Sequence, residues 1–474
     1  MAAKVNAALL TESLHALERA REWPEGLLDQ LRAQLESGSE EDAFHINPVA
    51  WATQRGLEPE LGVQLFLHAT RAGLTQIHWS LRCRGCGEIV DNRGGLAQLE
   101  HDFYCAACAR SSPTTLDEHV EVSFSVARDI RPLRFFEPET LSNEDYFFEY
   151  RFSKTIVIKG LDRPLIDFLR QQQRILIWLE AESEQTFDLD LPDAGWVVGN
   201  PRTMITTEGE PTTEVRELSL TYGERAFHPR PKIAPGPVRV TLRNPSDQRV
   251  RVFLYFTPIV TYFAYEPHLS GHRLLNDPEF RRCLGTDVVR PGTGIPIKDA
   301  SLLFTDLRGS TAMYDRIGDS AAFELVSEHF ESMAKIITRC GGVVVKTMGD
   351  AIMASFNNPS DAVRAAVEIV VSNPFANHRG DTQLLPKVGV HRGPCIVVNQ
   401  NEMLDFFGQT VNVAARVQGV AEGNELCITD AVWDEVQAEP ATAELLGRFG
   451  PTMREEAVLK GVADPVGLYR LLLR

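Results

Sequence analysis

The chain contains no run of 18 apolar residues, whereas a helix that crosses a bilayer needs about 20. The nearest approach, Val250 to Tyr265, is broken by Arg251, Thr257, Pro258 and Thr261 and reads as sheet. Positive charge is also scarce: 48 Lys and Arg stand against 65 Asp and Glu, a net charge of −17. That excludes a general affinity for nucleic acid or anionic membrane, since both require a positive surface. The N-terminus lacks a basic segment followed by an apolar stretch, so no signal peptide is expected and the expected location is the cytoplasm. Internal repeats and low-complexity tracts are missing too. Four of the eight cysteines, Cys283, Cys340, Cys395 and Cys427, are scattered singly in apolar surroundings. This suits reduced, buried thiols better than a disulfide framework.

What is present is an ordinary globular composition, 43% hydrophobic and 24% charged, over 474 residues. That length predicts several domains. The first 75 residues read as helical, with Leu9, Leu10, Leu14 and Leu17 at helical spacing before Pro24. Helices over 48–55 and 58–72 form a pair broken at Gly56. The second carries Glu58 and Glu60 and only Arg71 as a cation. A DNA-recognition helix should not bring acid to phosphates, so the pair reads as structural.

An alternating strand, Ile77 to Leu81, runs into Cys83-Arg84-Gly85-Cys86. A second knuckle, Cys105-Ala106-Ala107-Cys108, follows after 18 intervening residues, then another alternating strand at Val120, Val122, Phe124 and Val126. Two such knuckles between strands form a zinc-ribbon pattern, in which Cys83, Cys86, Cys105 and Cys108 hold one structural Zn²⁺. The competing reading is four free or redox-active thiols. Residues 1–145 are therefore expected to form a helical region with a zinc ribbon.

Residues 146–270 read as a β-sandwich with a regulatory role. Short strands recur around Thr155–Ile158, Arg174–Leu179 and Phe187–Leu191. Two alternating runs, Val238–Leu242 and Val250–Phe256, flank an Asn-Pro-Ser-Asp turn. His228, His268 and His272 are dispersed and suggest no ligand set. Pro278, Pro291, Gly292, Gly294 and Pro296 mark residues 271–296 as a linker.

From Ser301 the character changes. The apolar strand Ser301–Phe304 ends in Thr305-Asp306-Leu307-Arg308-Gly309-Ser310-Thr311. An Asp at a strand end, before a turn into a helix, suits metal and phosphate. A helix is expected over 321–339, burying Phe323, Val326, Phe330, Met333 and Ile337 and stopping at Gly341-Gly342. Residues 343–356, VVVKTMGDAIMASF, read as a hairpin with Asp350 in its turn. Asp306 and Asp350 could then bridge two divalent ions. Further on, Asn412 and Arg416 are four apart, hence on one helical face.

Phe304-Thr305-Asp306, Lys346-Thr347-Met348-Gly349-Asp350, Asp405-x-x-Gly408 and Val411-Asn412-Val413-Ala414-Ala415-Arg416 resemble, in order and spacing, the motifs of the class III nucleotidyl cyclase catalytic domain. The resemblance covers residues 297–474. The region ahead of it is similar, more vaguely, to N-terminal parts of some soluble bacterial cyclases.

The resemblance implies an α+β domain with a ferredoxin-like βαββαβ core and an adenylate cyclase that forms 3′,5′-cyclic AMP and pyrophosphate from ATP. Asp306 and Asp350, with the backbone carbonyl of Leu307, would hold two Mg²⁺ or Mn²⁺ ions. Arg416 would neutralise charge at the α-phosphoryl group, Asn412 would orient the ribose, and Lys460 would contact phosphate. Lys346 and Asp405 would read the base. Adenine offers an acceptor at N1 and a donor at N6, which suit an ammonium and a carboxylate; guanine reverses both. The pair therefore favours ATP. His391 is expected to be structural. The family builds its sites between two catalytic domains, so one domain carrying every role implies a homodimer. A guanylate cyclase, or a catalytically silent nucleotide-binding signalling protein, is the alternative. The regulatory ligand or partner of the N-terminal region is not legible.

Overall fold

A computed structural model of the chain describes residues 5–472 except 106, 109, 160–162, 194, 201, 258–262, 285–288, 290–292, 373–384, 401, 402, 448, 450 and 451. The chain divides into two units. One comprises Met1–Gly94, Gln98–Thr114 and His119–Leu269; the other comprises Gly95–Ala97, Thr115–Glu118 and Ser270–Arg474.

The first unit opens with four helices, Ala7–Glu18, Leu27–Ser37, Pro48–Thr53 and Pro59–Arg71. Asn6 caps the first, its side chain accepting from Leu9 N at 3.2 Å. Asn47 caps the third in the same way, with Pro48 following where no N–H is needed. The last two helices pack face to face, with Trp51 edge-on to Phe66 at 5.5 Å. Val63, Leu65, Phe66, Leu67 and Ala69 are buried, so the fourth helix is spent on packing. The strand Thr75–Arg82 pairs antiparallel with Ile89–Arg93 on one side and Val120–Val126 on the other.

Two larger sheets follow. In one, Gly195–Asn200 lies between Thr203–Thr207 and Val250–Thr257, with Gln173–Leu179 beyond; in the other, Gly236–Asn244 lies between Ser183–Leu191 and Arg216–Gly223. Val197, Ile205, Val252 and Leu254 from the first sheet and Leu220, Val238, Val240 and Leu242 from the second form one buried cluster. The period-2 alternation along Gly236–Asn244 is what puts those side chains on one face.

In the second unit an eight-stranded sheet runs in the order Gly342–Met348, Ala351–Phe356, Gly294–Arg308, Leu385–Gln400, Glu425–Thr429, Val466–Leu472, Met453–Ala457. Met403–Phe407 pairs with Leu385–Gln400 off this path. The first elements succeed one another as strand, helices, hairpin, helix, strand. Asp319–Arg339 and Pro359–Ser372 pack on the sheet through Met333, Ile337, Ala362, Val363, Ala366 and Val370.

Two expectations are corrected here. Phe323 is 68% exposed rather than buried. The inward stripe of its helix runs through Ala322, Val326, His329, Met333 and Ile336–Ile337, and Phe323 sits one helical step, about 100°, off it. Residues 271–296 are not a plain linker. Ser270 caps a helix at Gly271–Leu275 and Asp277 caps another at Pro278–Leu284, and the long strand already begins at Gly294. Pro278 starts a helix instead of breaking one, since the first helical turn needs no N–H from it. Pro291 and Gly292 lie outside the described residues.

Candidate active site

The strand Gly294–Arg308 lies between the hairpin that carries Asp350 and the strand Leu385–Gln400. The hairpin turn is Gly349-Asp350. Gly349 takes φ 63°, a left-handed conformation that costs glycine nothing. Thr305 is fully buried, stands opposite Ile352, and accepts its backbone N–H at 3.2 Å. That bond fixes the turn beside the next residue of the central strand, Asp306. The side chain of Leu307 is buried against Met313, Ala322 and Val326, which anchors the backbone on the far side.

Burial, and then the charge of Asp350, push the Asp306 carboxyl above its usual range. Asp350 Oδ2 is buried and has no hydrogen-bond partner among the described residues. A carboxyl whose ionisation is opposed by its neighbour's charge, beside a carboxylate with an orphaned buried oxygen, is a donor set for hard divalent cations. Two residues here escaped the sequence reading. Lys387 stands directly across from Asp306 in the strand register, its Nζ 3.7 Å from Asp306 Oδ2, and partly offsets the upward shift of that carboxyl. His329 is fully buried; burial pushes it down to about 4, against the charge of Asp350.

A second cluster starts from the same hairpin, at Lys346, two residues before the strand Gly342–Met348 ends at the turn. Lys346 Nζ donates to Asp405 Oδ2 at 2.5 Å. Asp405 is buried, and its Oδ1 accepts from Phe406 N at 2.8 Å. Its strand is held from outside by Arg281, which donates to Leu404 O at 3.2 Å and to Leu275 O at 2.7 Å. Burial lowers Arg281 to about 10, against the charge of Asp405. Arg281 sits in the stretch expected to be linker, where no motif marked it.

Gly408 ends this strand at φ 142°, again left-handed territory, and releases the helix Gln409–Val420. Val413, Ala414 and Val417 face inward, while Asn412 and Arg416 share the exposed face, one turn apart. Neither side chain has a hydrogen-bond or ion-pair partner among the described residues. Leu459 and Val462 pack on Val413 and Val417, so the loop bearing Lys460 lies against this helix; Lys460 itself is exposed. His391 donates or accepts at 2.9 Å with Thr429 Oγ1, and burial pushes it down to about 4.

In the first unit the ligand atoms of Cys83, Cys86, Cys105 and Cys108 all lie within 4.8 Å of one another. Cys83 and Cys108 are 3.7 Å apart at sulfur, Cys86 and Cys105 3.6 Å. A tetrahedral Zn²⁺ with bonds of about 2.3 Å spaces its sulfurs by roughly 3.8 Å. Hydrogen bonds from Cys105 and Cys108 pull the Cys83 thiol far below its usual range, while interaction with the neighbouring thiols pushes Cys86 and Cys105 up. Glu88, buried, backs the cluster: its Oε2 accepts from Cys105 Sγ and from Ala107 N, each at 3.3 Å. The single thiols Cys395 and Cys427 are buried and pushed up to about 12, mainly by that burial. The side chain of Cys283 lies outside the described residues.

Residues 12–281, more than half of the chain, match a family of unknown function, DUF5939. Residues 295–469 match the adenylate and guanylate cyclase catalytic domain. The chain belongs to the DUF5939 family and carries a cyclase catalytic domain. A receptor-type adenylate cyclase of Trypanosoma brucei brucei, GRESAG 4.1, is 26% identical over 217 residues, 37% of this chain and 17% of the relative. An adenylate cyclase of Anabaena cylindrica is 31% identical over 148 residues, 28% of this chain and 30% of the relative. The chain thus spans less than a third of either relative. Among solved structures, the adenylyl cyclase CyaB of P. aeruginosa is 21% identical over 38% of this chain and 97% of that one, with TM-score 0.32. Adenylate cyclases of Trypanosoma brucei in their monomeric state give 25% identity over 37% of this chain and 89% of theirs, with TM-score 0.31. No helix among the described residues is long and apolar enough to cross a membrane.

Proposed function

We propose that the protein is an adenylate cyclase that closes the ribose 3′-oxygen of ATP onto the α-phosphorus and releases pyrophosphate. The observation that carries the two-metal reading is the orphaned, buried Oδ2 of Asp350 beside an Asp306 that is itself hard to ionise. Asp306 and Asp350, with the Leu307 carbonyl, would hold Mg²⁺ or Mn²⁺. Bound there, the ions supply acidification of the 3′-hydroxyl and a grip on the triphosphate. Arg416 offers a planar cation with several donors to the α-phosphoryl oxygens, where charge builds up as the new bond forms. Asn412, one turn away, orients the ribose. Lys460 contacts phosphate from the neighbouring loop.

The Lys346–Asp405 pair, 2.5 Å apart in one chain, supports ATP over GTP. Adenine N1 accepts from the ammonium and N6 donates to the carboxylate, whereas guanine would leave both groups facing like partners. Asn412 and Arg416 are exposed and unpartnered while Asp350 is half-buried, which supports a site completed by a second copy of the domain. The four cysteines take a structural Zn²⁺, since four thiolates leave no position open for chemistry.

Purified protein given ATP and GTP separately, with Mg²⁺ and then Mn²⁺, tests the reading. Cyclic AMP lost in Asp350→Ala is the expected result. Cyclic GTP alone would overturn the base assignment and spare the metal site. No product from either nucleotide under both metals would overturn the enzyme reading. Metal analysis should find one zinc per chain, lost in Cys105→Ser together with a lowered melting temperature. Zinc-free protein that melts unchanged would sink the structural-zinc assignment.

A further inference from the structure

The first unit contains a cavity of about 1090 Å³ whose lining includes Tyr146, Arg151, Trp178, Arg225, Arg249 and Arg251. A cavity of this size holds a nucleotide-sized molecule. Three of the arginines crowd together. The guanidinium of Arg249 lies 4.2 Å from the centre of the Trp178 ring, and that of Arg251 4.5 Å from it and 4.0 Å from the Tyr146 ring. Arg151 is 5.6 Å from Tyr146. Burial lowers Arg251 from its ordinary range, and the charges of Arg249 and Arg151 press it in the same direction.

Counter-ions relieve this crowding only in part. Arg151 pairs with Glu88. Asp91, Glu139 and Asp247 also line the cavity; Asp91 pairs with Arg93, and among the described residues neither Glu139 nor Asp247 forms an ion pair with Arg249 or Arg251. Arg251 Nη2 donates to the carbonyls of Pro138, Glu139 and Leu141 at 3.3, 3.4 and 3.0 Å. Its Nη1 is buried, as is Arg151 Nε, and neither has an acceptor among the described residues. Cations that repel one another along one cavity wall are costly unless an anion joins them. The guanidinium fork matches phosphate and carboxylate oxygens two at a time.

We propose that this cavity binds a small organic anion, a phosphate or carboxylate carried on a planar ring, with Arg249 and Arg251 on the anionic group and Trp178 and Tyr146 beside the ring. The guanidinium planes lying over these rings offer a flat cationic surface on which such a ring can stack. The inference stands apart from the cyclase reading, because every residue it uses lies in the first unit.

The test is calorimetric titration of the full chain with AMP, whose phosphate is joined to its planar ring through ribose, and with nicotinate, a carboxylate directly on its ring, in wild type, Arg249→Met and Arg251→Met. Arg249 is exposed, so its variant keeps the fold even if Arg251→Met does not; thermal melts check both. Asp350→Ala is included to separate nucleotide held by the cyclase domain. The expected result is binding of AMP or nicotinate that survives Asp350→Ala and weakens about tenfold or more in Arg249→Met, the loss of a charge-assisted contact. Whichever probe binds identifies the anionic group. Binding indifferent to Arg249→Met, or no binding of either probe at millimolar concentration, would overturn the proposal.

Discussion

Lys387 Nζ lies 3.7 Å from Asp306 Oδ2, a cation held against a carboxylate that we assign to divalent metal. The two residues are directly opposed in adjacent antiparallel strands, so the sheet fixes their backbones side by side. On the proposed metal site, an ammonium here would repel an incoming dication and attract the triphosphate that the dication accompanies. Lys387→Met should therefore lower the metal concentration needed for half-maximal activity. It should also raise KM for the nucleotide by about tenfold, the value of one charged hydrogen bond. Steady-state kinetics over a metal titration checks both. An unchanged KM would show that Lys387 serves only Asp306.

Why Lys387 was invisible in the sequence is instructive. Asp306, Lys346, Asp350, Asp405, Asn412 and Arg416 each lie in a short stretch whose local geometry is written in its own residues: an apolar strand, a Gly-Asp turn, a glycine before a helix. Lys387 acquires its place only through strand register with a partner far away in the chain, and register leaves no local mark. Arg281 is the same case, since its bond to Leu404 O joins distant segments. The helices at Gly271–Leu275 and Pro278–Leu284 were hidden by proline and glycine, which punctuate loops and also open helices. The cysteine knuckles, by contrast, were legible because ligand spacing is itself local, and the four sulfurs do meet.

His329 and His391 give the cyclase domain an acid limit. Burial pushes both down to about 4, so they stay neutral in the fold while an unfolded histidine titrates near 6.5. Above that value they contribute no pH dependence. Between pH 6.5 and 4 the unfolded chain binds more protons, and stability falls as pH falls. Each histidine accounts for up to about 3 kcal/mol by pH 4. His391→Gln keeps a partner for Thr429 and removes the titration. Melting temperature should drop less steeply from pH 7 to pH 5 in the variant, and parallel curves would exclude His391 as a source.

Base choice should follow the hydrogen-bond pattern at Lys346 and Asp405. Asp405→Asn replaces an obligate acceptor with a group that also donates, which guanine O6 can use. Lys346→Gln gives guanine N1–H an acceptor. The double variant should lose about 10- to 100-fold in kcat/KM for ATP for each mismatched bond and narrow the preference over GTP. Because Lys346 and Asp405 pair with each other, changing both avoids stranding one charge, and the double variant should melt closer to wild type than either single one. Unchanged nucleotide preference in a well-folded double variant would remove these residues from base recognition.

Composite sites make a sharper demand. If Asp306 and Arg416 act across a dimer, a chain lacking one can be complemented by a chain lacking the other. On the proposed roles, Asp306→Ala would lose the metal and Arg416→Ala the charge neutralisation at the α-phosphoryl group, so each homodimer should be inactive, by about 10²-fold or more for the arginine. A mixed dimer places both defects in one of its two sites and leaves the other site whole. With random exchange half of the dimers are mixed, and each has one of two sites intact, so activity should recover to about a quarter of wild type. Both residues are polar, and Arg416 is exposed, so the substitutions spare the core. Mixed dimers, verified by differently tagged chains, that remain as inactive as either parent would mean that Asp306 and Arg416 serve the same site from the same chain.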